Sequence, residues 1–464
     1  MADERVVSEI ITEFLLNTCG LCPRLSKHGA QAADACAQIA TKTHPGDDAE
    51  AVSIPLITGS VAEFYIEPML PHVGDVDVMY YHSNQLAIPR GHPPPTQLPD
   101  EFSNYVRVFE IVDSHLPGYV YLQLRYLLTE CVEDEKYRFT EYERRPFLSN
   151  DVYGHGVYIH GPAALAVSND TSMLSVDSVQ CVRCLSWPSQ AADWPTRHRN
   201  YDWPDTATVD RVVNNGCDVV AVAHRQCRED EWMGKNQWRL SFSRAEIVLI
   251  NSWMPVQQIV YHMLRVFVKT ELLAKRDNTS EPCALSNYNI KTLMMWACER
   301  KSRSFWTDDL NLVRICVELL HTLSVWLVDG RCPHYFIKNC NLVHTSFDLE
   351  IIARQLALID EVCLSTWFVN NYIRKCAFLC PDNVSRLFID IGTNKKLQNA
   401  VSATVNRRPS TAVNDKWNAL VFAKNMIARD LVNYPLTVPS CLCWMTELAK
   451  TDTCLAVFFS AVAF

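Results

Sequence analysis

The chain has 464 residues, 48% hydrophobic and 20% charged, enough to bury a large core in two or three structural units. Its net charge of −9 excludes broad electrostatic attraction to nucleic acid, so any such contact surface has to be local. The first residues lead straight into a charged amphipathic segment, and no stretch reaches the ~20 apolar residues of a membrane-spanning helix. The expectation is a cytoplasmic protein without membrane attachment.

Nineteen cysteines spread through a chain of this length read as reduced thiols. Cys19/Cys22, Cys181/Cys184 and Cys441/Cys443 are close pairs, but none has a second pair at finger spacing, which favours buried or idle thiols over zinc.

In chain order, Val7, Ile10, Ile11, Phe14 and Leu15 predict an amphipathic helix over 6–18. Ser53 to Ile57 predicts a short strand that runs into the Gly59-Ser60 turn. Asp75 to Tyr80 predicts a second strand, whose period of two puts Asp75 and Asp77 on one face. After the Gly91-to-Pro95 break, 106–112 and 119–124 predict an antiparallel pair, and 174–181 a further strand carrying Asp177.

Three Trp-Pro steps, at Trp187, Trp194 and Trp203, mark an ordered linker crossing between two lobes. Beyond Trp238 the apolar spacing becomes helical over 256–267 and again over 312–327. The second of these helices is expected to start at Asp308 and Asp309 and to stop at Gly330. The fold class is therefore α+β: a mixed β-sheet lobe with flanking helices, followed by a mostly α-helical lobe.

Asp75 and Asp77 point to metal chemistry, because Mg²⁺ prefers hard oxygen ligands and alternate strand positions bring two carboxylates to one place. Gly59 and Ser60 add free backbone N–H groups and a hydroxyl for a triphosphate. An Asp-x-Asp pair alone is usually a solvated face; the upstream Gly-Ser and the third acidic strand residue, Asp177, favour a nucleotidyltransferase site.

These elements resemble the cyclic GMP-AMP synthase-like receptors of the male-abnormal-twenty-one group. Thr58-Gly59-Ser60, Asp75-Val76-Asp77-Val78-Met79 and Asp177 followed by Trp187-Pro188 are similar to its catalytic signature. Trp238 to Glu246, Asn287 to Thr292, His334 to Ile337 and Asn341-Leu342 continue the likeness through residue 345.

The resemblance implies a bilobal nucleotidyltransferase in which Asp75, Asp77 and Asp177 hold Mg²⁺ (or Mn²⁺). Gly59 and Ser60 would touch the triphosphate, Arg239, Ser243, Glu246 and Asn287 would line the base pocket, Tyr288 would stack on a nucleobase, and Arg265 and Lys269 would reach the phosphates. The bland alternatives are a packed Tyr288 with its hydroxyl at the rim, a surface ion pair between Arg239 and Glu246, and a solvated polar face shared by Gln258, His262, Arg265 and Lys269.

It further implies ATP or GTP as substrate, a cyclic dinucleotide product acting on a STING-type receptor, and a role in innate immunity. Residues 242–269 contain no cysteine, so no zinc thumb is expected, and double-stranded RNA becomes the expected activator rather than DNA. The short clusters Lys275-Arg276, Arg300-Lys301-Ser302-Arg303, Lys395-Lys396 and Arg407-Arg408 are its candidate contacts, with ordinary solubilising charge as the alternative. The division expected is a helical segment over 1–50, a catalytic core over 51–245, a helical lobe over 246–345 and a helical extension over 346–464. A catalytically silent binding module and an RNA-tailing nucleotidyltransferase are the rival functions.

Overall fold

The computed structural model describes residues 8–9, 11–12, 15–16, 21–22, 51–59, 63, 65–66, 77–150, 159–160, 163–166, 176–268, 270–271, 285–308, 311–343 and 347–368. Ser60, Asp75 and Lys269, and most of the expected 346–464 extension, lie outside the described residues; for Asp177 the backbone is described.

Among the described residues there are twelve strands: β1 (Leu21–Cys22), β2 (Ser53–Thr58), β3 (Tyr65–Ile66), β4 (Asp77–Pro89), β5 (Tyr105–Asp113), β6 (Tyr119–Cys131), β7 (Lys136–Glu141), β8 (Ile159–His160), β9 (Ala163–Ala166), β10 (Val176–Cys184), β11 (Cys217–Val220) and β12 (Gln237–Ser241). β5 and β6 form the expected antiparallel pair, turning at Gly118 with φ +84°.

β4 pairs with β2, β5 and β10, and following the ladder from β4 through β5, β6, β12, β11 and β10 leads back to β4. Six strands thus close into a ring. Strand β4 has neighbours on both sides, and twelve of its thirteen positions are buried, a near-continuous run that both faces of the sheet cover.

At the middle of β4, His82, Ser83, Asn84 and Gln85 are all buried. They form a bulge: Cys181 of β10 faces Tyr81, whereas Arg183 faces Leu86. His82 and Ser83 pair with the chain entering β2: His82 Nδ1 lies 3.2 Å from Ser53 Oγ, Ser83 N–H donates to Val52 O at 2.9 Å and Val52 N–H donates to Ser83 Oγ at 3.1 Å.

The pleat sends consecutive residues into different cores. Cys181 and Val220 join Met79, Tyr81, Val106 and Val108 in a smaller cluster, whereas Val182 and Val219 join Trp238 and Leu240 in a larger one that continues into the helices.

The helices are α1 (Thr206–Asn214), α2 (Met233–Asn236), α3 (Ser243–Asn251), α4 (Pro255–Val268), α5 (Asn287–Arg300), α6 (Arg303–Thr307), α7 (Leu312–Val328), α8 (Phe347–Ala357) and α9 (Glu361–Trp367). α4 is buried on every side from Val256 to Val268. Gln258, His262 and Arg265 are therefore buried, and the solvated polar face drawn from their spacing is not found.

α7 stops at Gly330, φ +59°, as its sequence predicts. Its start differs: Asn311, not Asp308 or Asp309, is the cap, its Oδ1 accepting from Arg314 N–H at 3.0 Å. Thr12, Ile11 and Leu15, helical positions near the N-terminus, brace this same end. Thr12 Oγ1 accepts from Leu312 N–H at 3.2 Å, and Ile11 and Leu15 enter the main core.

The Trp-Pro span is ordered, and it packs into the junction itself rather than bridging two separate bodies. Trp187 and Trp194 pack against Phe336, which stacks on Phe242 with centroids 4.5 Å apart and planes 12° from parallel. Beyond residue 346, α8 and α9 pack on α7, where Ser324 Oγ donates to Ala353 O and His321 Nε2 donates to Ile359 O. Among the described residues no helix is long and apolar enough to cross a membrane.

Candidate active site

Asp77 opens β4, and two strands fix its place. On one side Thr58 of β2 stands in register with it and donates through Oγ1 to the Asp77 carbonyl at 3.3 Å. On the other, the parallel ladder sets Asp177 of β10 directly opposite.

Gly59 follows Thr58 with φ +64°, a conformation that favours glycine. A Cβ at this position would fall on Asp77 Oδ2, so the missing side chain also makes the room in which the carboxylate sits. Strand register and the bare glycine together place one carboxylate at the sheet mouth.

The second half of the site starts where β12 runs into α3. Trp238 and Leu240 face the core, which leaves Arg239 and Ser241 on the opposite face; Ser241 Oγ lies 3.2 Å from Ser243 Oγ. Arg244 anchors the start of α3, donating through Nε to buried Asp218 at 2.8 Å. This carries Glu246 inward to 3% exposure.

There Glu246 Oε2 meets Lys291 Nζ of α5 at 2.8 Å, and the same ammonium is paired with Glu63. Tyr261 of α4 donates to Glu63 Oε2 at 3.4 Å. Two buried carboxylates share one ammonium, and this holds the Lys291 pKa well above its ordinary value against the opposing effect of burial. Glu246 and Arg239 therefore do not form the surface ion pair that their spacing allowed; Arg239 is exposed.

α5 itself is started by Ser286, whose N–H donates to Asn289 Oδ1 at 2.7 Å. Tyr288, in its first turn, continues the network on one side to Glu246 and on the other to His334 Nε2 at 3.3 Å. His334 Nδ1 accepts from the N–H groups of Phe336 and Ile337 at 3.0 and 3.1 Å. The neutral ring must then carry its proton on Nε2, which donates to Tyr288 Oη. Burial, with Arg239 nearby, pushes the His334 pKa down to about 3, so the ring stays neutral.

The result is a continuous relay: His334 to Tyr288 to Glu246 to Lys291 to Glu63 to Tyr261. It brings together Arg239, Ser243, Glu246 and Tyr288 of the expected base pocket, with Asn287 beside them. The Asn287 side-chain oxygen is out of contact with solvent and has no hydrogen-bond partner among the described residues. Arg265 reaches the relay from α4, its guanidinium 5.4 Å from the Tyr261 ring centroid.

Sequence reasoning did not single out Glu63, Lys291, Tyr261 or His334 as site residues. Lys291 and His334 lie inside quoted motifs; nothing in the spacing announces that Glu63 and Lys291 meet.

Residues 124–252 match the Mab-21 protein nucleotidyltransferase domain, and residues 257–357 match the Mab-21 protein HhH/H2TH-like domain. The chain belongs to the Mab-21 family. It is 24% identical to Protein male abnormal 21 of Caenorhabditis briggsae over 163 residues, 34% of this chain and 42% of that protein. It is 30% identical to Protein mab-21-like of Drosophila melanogaster over 156 residues, 32% of this chain and 39% of that one. The matches thus span about two fifths of each relative.

The boundary between the two Mab-21 domains falls at the turn between α3 and α4. The relay crosses it: Glu246 belongs to the nucleotidyltransferase domain, whereas Tyr261, Tyr288, Lys291 and His334 belong to the HhH/H2TH-like domain. Gly59, Asp77 and Asp177 sit on the sheet of this α+β fold. Two carboxylate residues in register on parallel neighbours, one of them housed over a bare glycine, fit a hard divalent cation such as Mg²⁺.

Proposed function

We propose that this Mab-21 protein is a metal-dependent nucleotidyltransferase that joins two nucleoside triphosphates into a cyclic dinucleotide, switched on by double-stranded RNA in an innate immune response. The observation that carries the transfer is Asp77 standing over Gly59 and in register with Asp177.

In this reading Asp75, Asp77 and Asp177 hold Mg²⁺ or Mn²⁺, which when bound lowers the cost of charge on the attacking hydroxyl and the departing pyrophosphate. Gly59 and Ser60 offer N–H and hydroxyl donors to the phosphates, and Arg265 and Lys269 supply positive charge from the helical lobe. Asp177 takes the proton of the attacking hydroxyl. Tyr288 presents its ring to a base, while Arg239, Ser243, Glu246 and Asn287 offer polar groups to its edge; the unpaired Asn287 oxygen supports this. Two successive transfers close the ring, and the product would act on a STING-type receptor.

The test uses purified protein, labelled ATP and GTP, Mg²⁺ or Mn²⁺, and double-stranded RNA or DNA, with products resolved by size. A small cyclic product lost in Asp77→Asn is expected. A growing polymer would instead identify a tailing enzyme, and triphosphate binding without pyrophosphate release in any arm would identify a silent module. Equal product from wild type and Asp77→Asn would remove the catalytic reading.

A further inference from the structure

On the side of the helical lobe where α5 ends, cations gather around one indole. Arg197 lies over the Trp296 ring at 4.5 Å from its centroid, and Arg300 lies over the same ring at 4.1 Å. Trp296 Nε1 donates to Pro333 O at 2.9 Å, which brings the segment of Arg331 alongside.

Glu299, which precedes Arg300 in the chain, is already committed. It accepts from Arg197 Nη2 at 2.5 Å and from Tyr335 Oη at 2.8 Å, and lies 3.5 Å from Arg199 Nε. Arg197 also donates to Tyr335 O, and Arg199 to Trp194 O. These two guanidiniums are structural. Arg300 and Arg331 are different: both are exposed, and neither forms an ion pair among the described residues.

Burial, opposed by Glu299 and reinforced by Arg197 and Arg331, holds the Arg300 guanidinium below its ordinary range. A cation in the last turn of a helix is commonplace because it complements the dipole. The dipole does not explain a second exposed arginine, Arg331, on the segment that Trp296 holds through the Pro333 carbonyl. Arg197, Arg199 and Arg300, gathered on Glu299 and the rings of Trp194 and Trp296, make a local excess of positive charge on a chain whose net charge is −9.

We propose that Arg300 and Arg331, on the Trp296 platform, form an anion site for a compact polyphosphate, separate from the nucleotide cleft. Arg300, held 4.1 Å over the ring centroid, offers its N–H groups as a fork for phosphate oxygens. Arg197 and Arg300 share one ring instead of running as a stripe, which suits a small multivalent anion better than an extended backbone.

The experiment is calorimetric titration of the full chain with inorganic tripolyphosphate at about 0.15 M salt, where screening suppresses loose surface attraction. Inositol hexakisphosphate and ATP serve as parallel titrants, and circular dichroism confirms the fold of each variant. One equivalent of tripolyphosphate should bind to wild type and equally to Asp77→Asn. Arg300→Gln and Arg331→Gln should each weaken it at least about tenfold, and Arg300→Lys by less. Absence of binding to folded wild type overturns the proposal, as does binding indifferent to both glutamine variants. Loss of binding in Asp77→Asn moves the anion to the cleft and overturns it too. The proposal does not rest on catalysis, so a protein that makes no product still decides it.

Discussion

The sheet mouth and the relay position their carboxylates in opposite ways. Asp77 is half-buried and is placed by backbone: a strand register on either side and an empty Cβ position at Gly59 beneath it. Glu63 and Glu246 are buried to 2% and 3% exposure and are placed by charge, through a lysine from another domain. Space houses the first carboxylate. Charge closes the second pair on itself, which makes it a fixed wall of the pocket.

The comparison breaks first at Lys291. Lys291→Met leaves two buried carboxylates without their ammonium and should lower unfolding stability by about 3–5 kcal/mol in urea titrations. Lys291→Met combined with Glu246→Gln should recover part of that loss, because one stranded charge is gone. A loss under about 1 kcal/mol would mean the relay is not closed by charge.

Gly59→Ala tests the other design. The added Cβ displaces Asp77 while the positive φ strains the turn, so product formation should fall on the order of 10²-fold with the rest of the fold intact. Normal turnover by this variant would show that Asp77 is not held by steric room.

Acid sharpens the contrast next. Burial, with Arg265 and Arg239 respectively, pushes His262 and His334 down to about 3, from an ordinary value of 6.5. Between those values the unfolded chain binds protons that the folded one refuses, so stability should fall as pH drops through this window, by up to about 1.4 kcal/mol per pH unit for each histidine. Denaturant midpoints at pH 7 and pH 5 measure it, and His334→Gln should flatten the slope.

The smallest effect is expected at Tyr335→Phe, which removes one of the hydrogen bonds to Glu299 but leaves both arginines, for about 1 kcal/mol.

Much of the sheet mouth was legible because its logic is local. Gly59 after one strand and Asp77 on another can be read from neighbouring residues, whereas Ser60 and Asp75 lie outside the described residues. The helical lobe was legible through its 3.6-residue periodicity, although that period could not tell that the polar residues of α4 would be buried as well. The ring was not legible, since closing it requires the parallel pairing of β4 with β10, strands far apart in the chain. Nor was the bulge at 82–85, whose polar residues read as a strand end. Glu63 and Lys291 meet only through the fold. The start of α7 was misplaced because Asp308, Asp309 and Asn311 all suit a helix start, and geometry alone chooses Asn311.

The stacked Phe242 and Phe336, with Trp187 and Trp194 against them, tie the strand-to-helix turn of one domain to the His334 segment of the other. Dry aromatic contacts of this kind do not part and re-form cheaply. Along that line the two Mab-21 domains share one aromatic layer, so parting them would bring Trp194, Phe242 and Phe336, all buried, into contact with water.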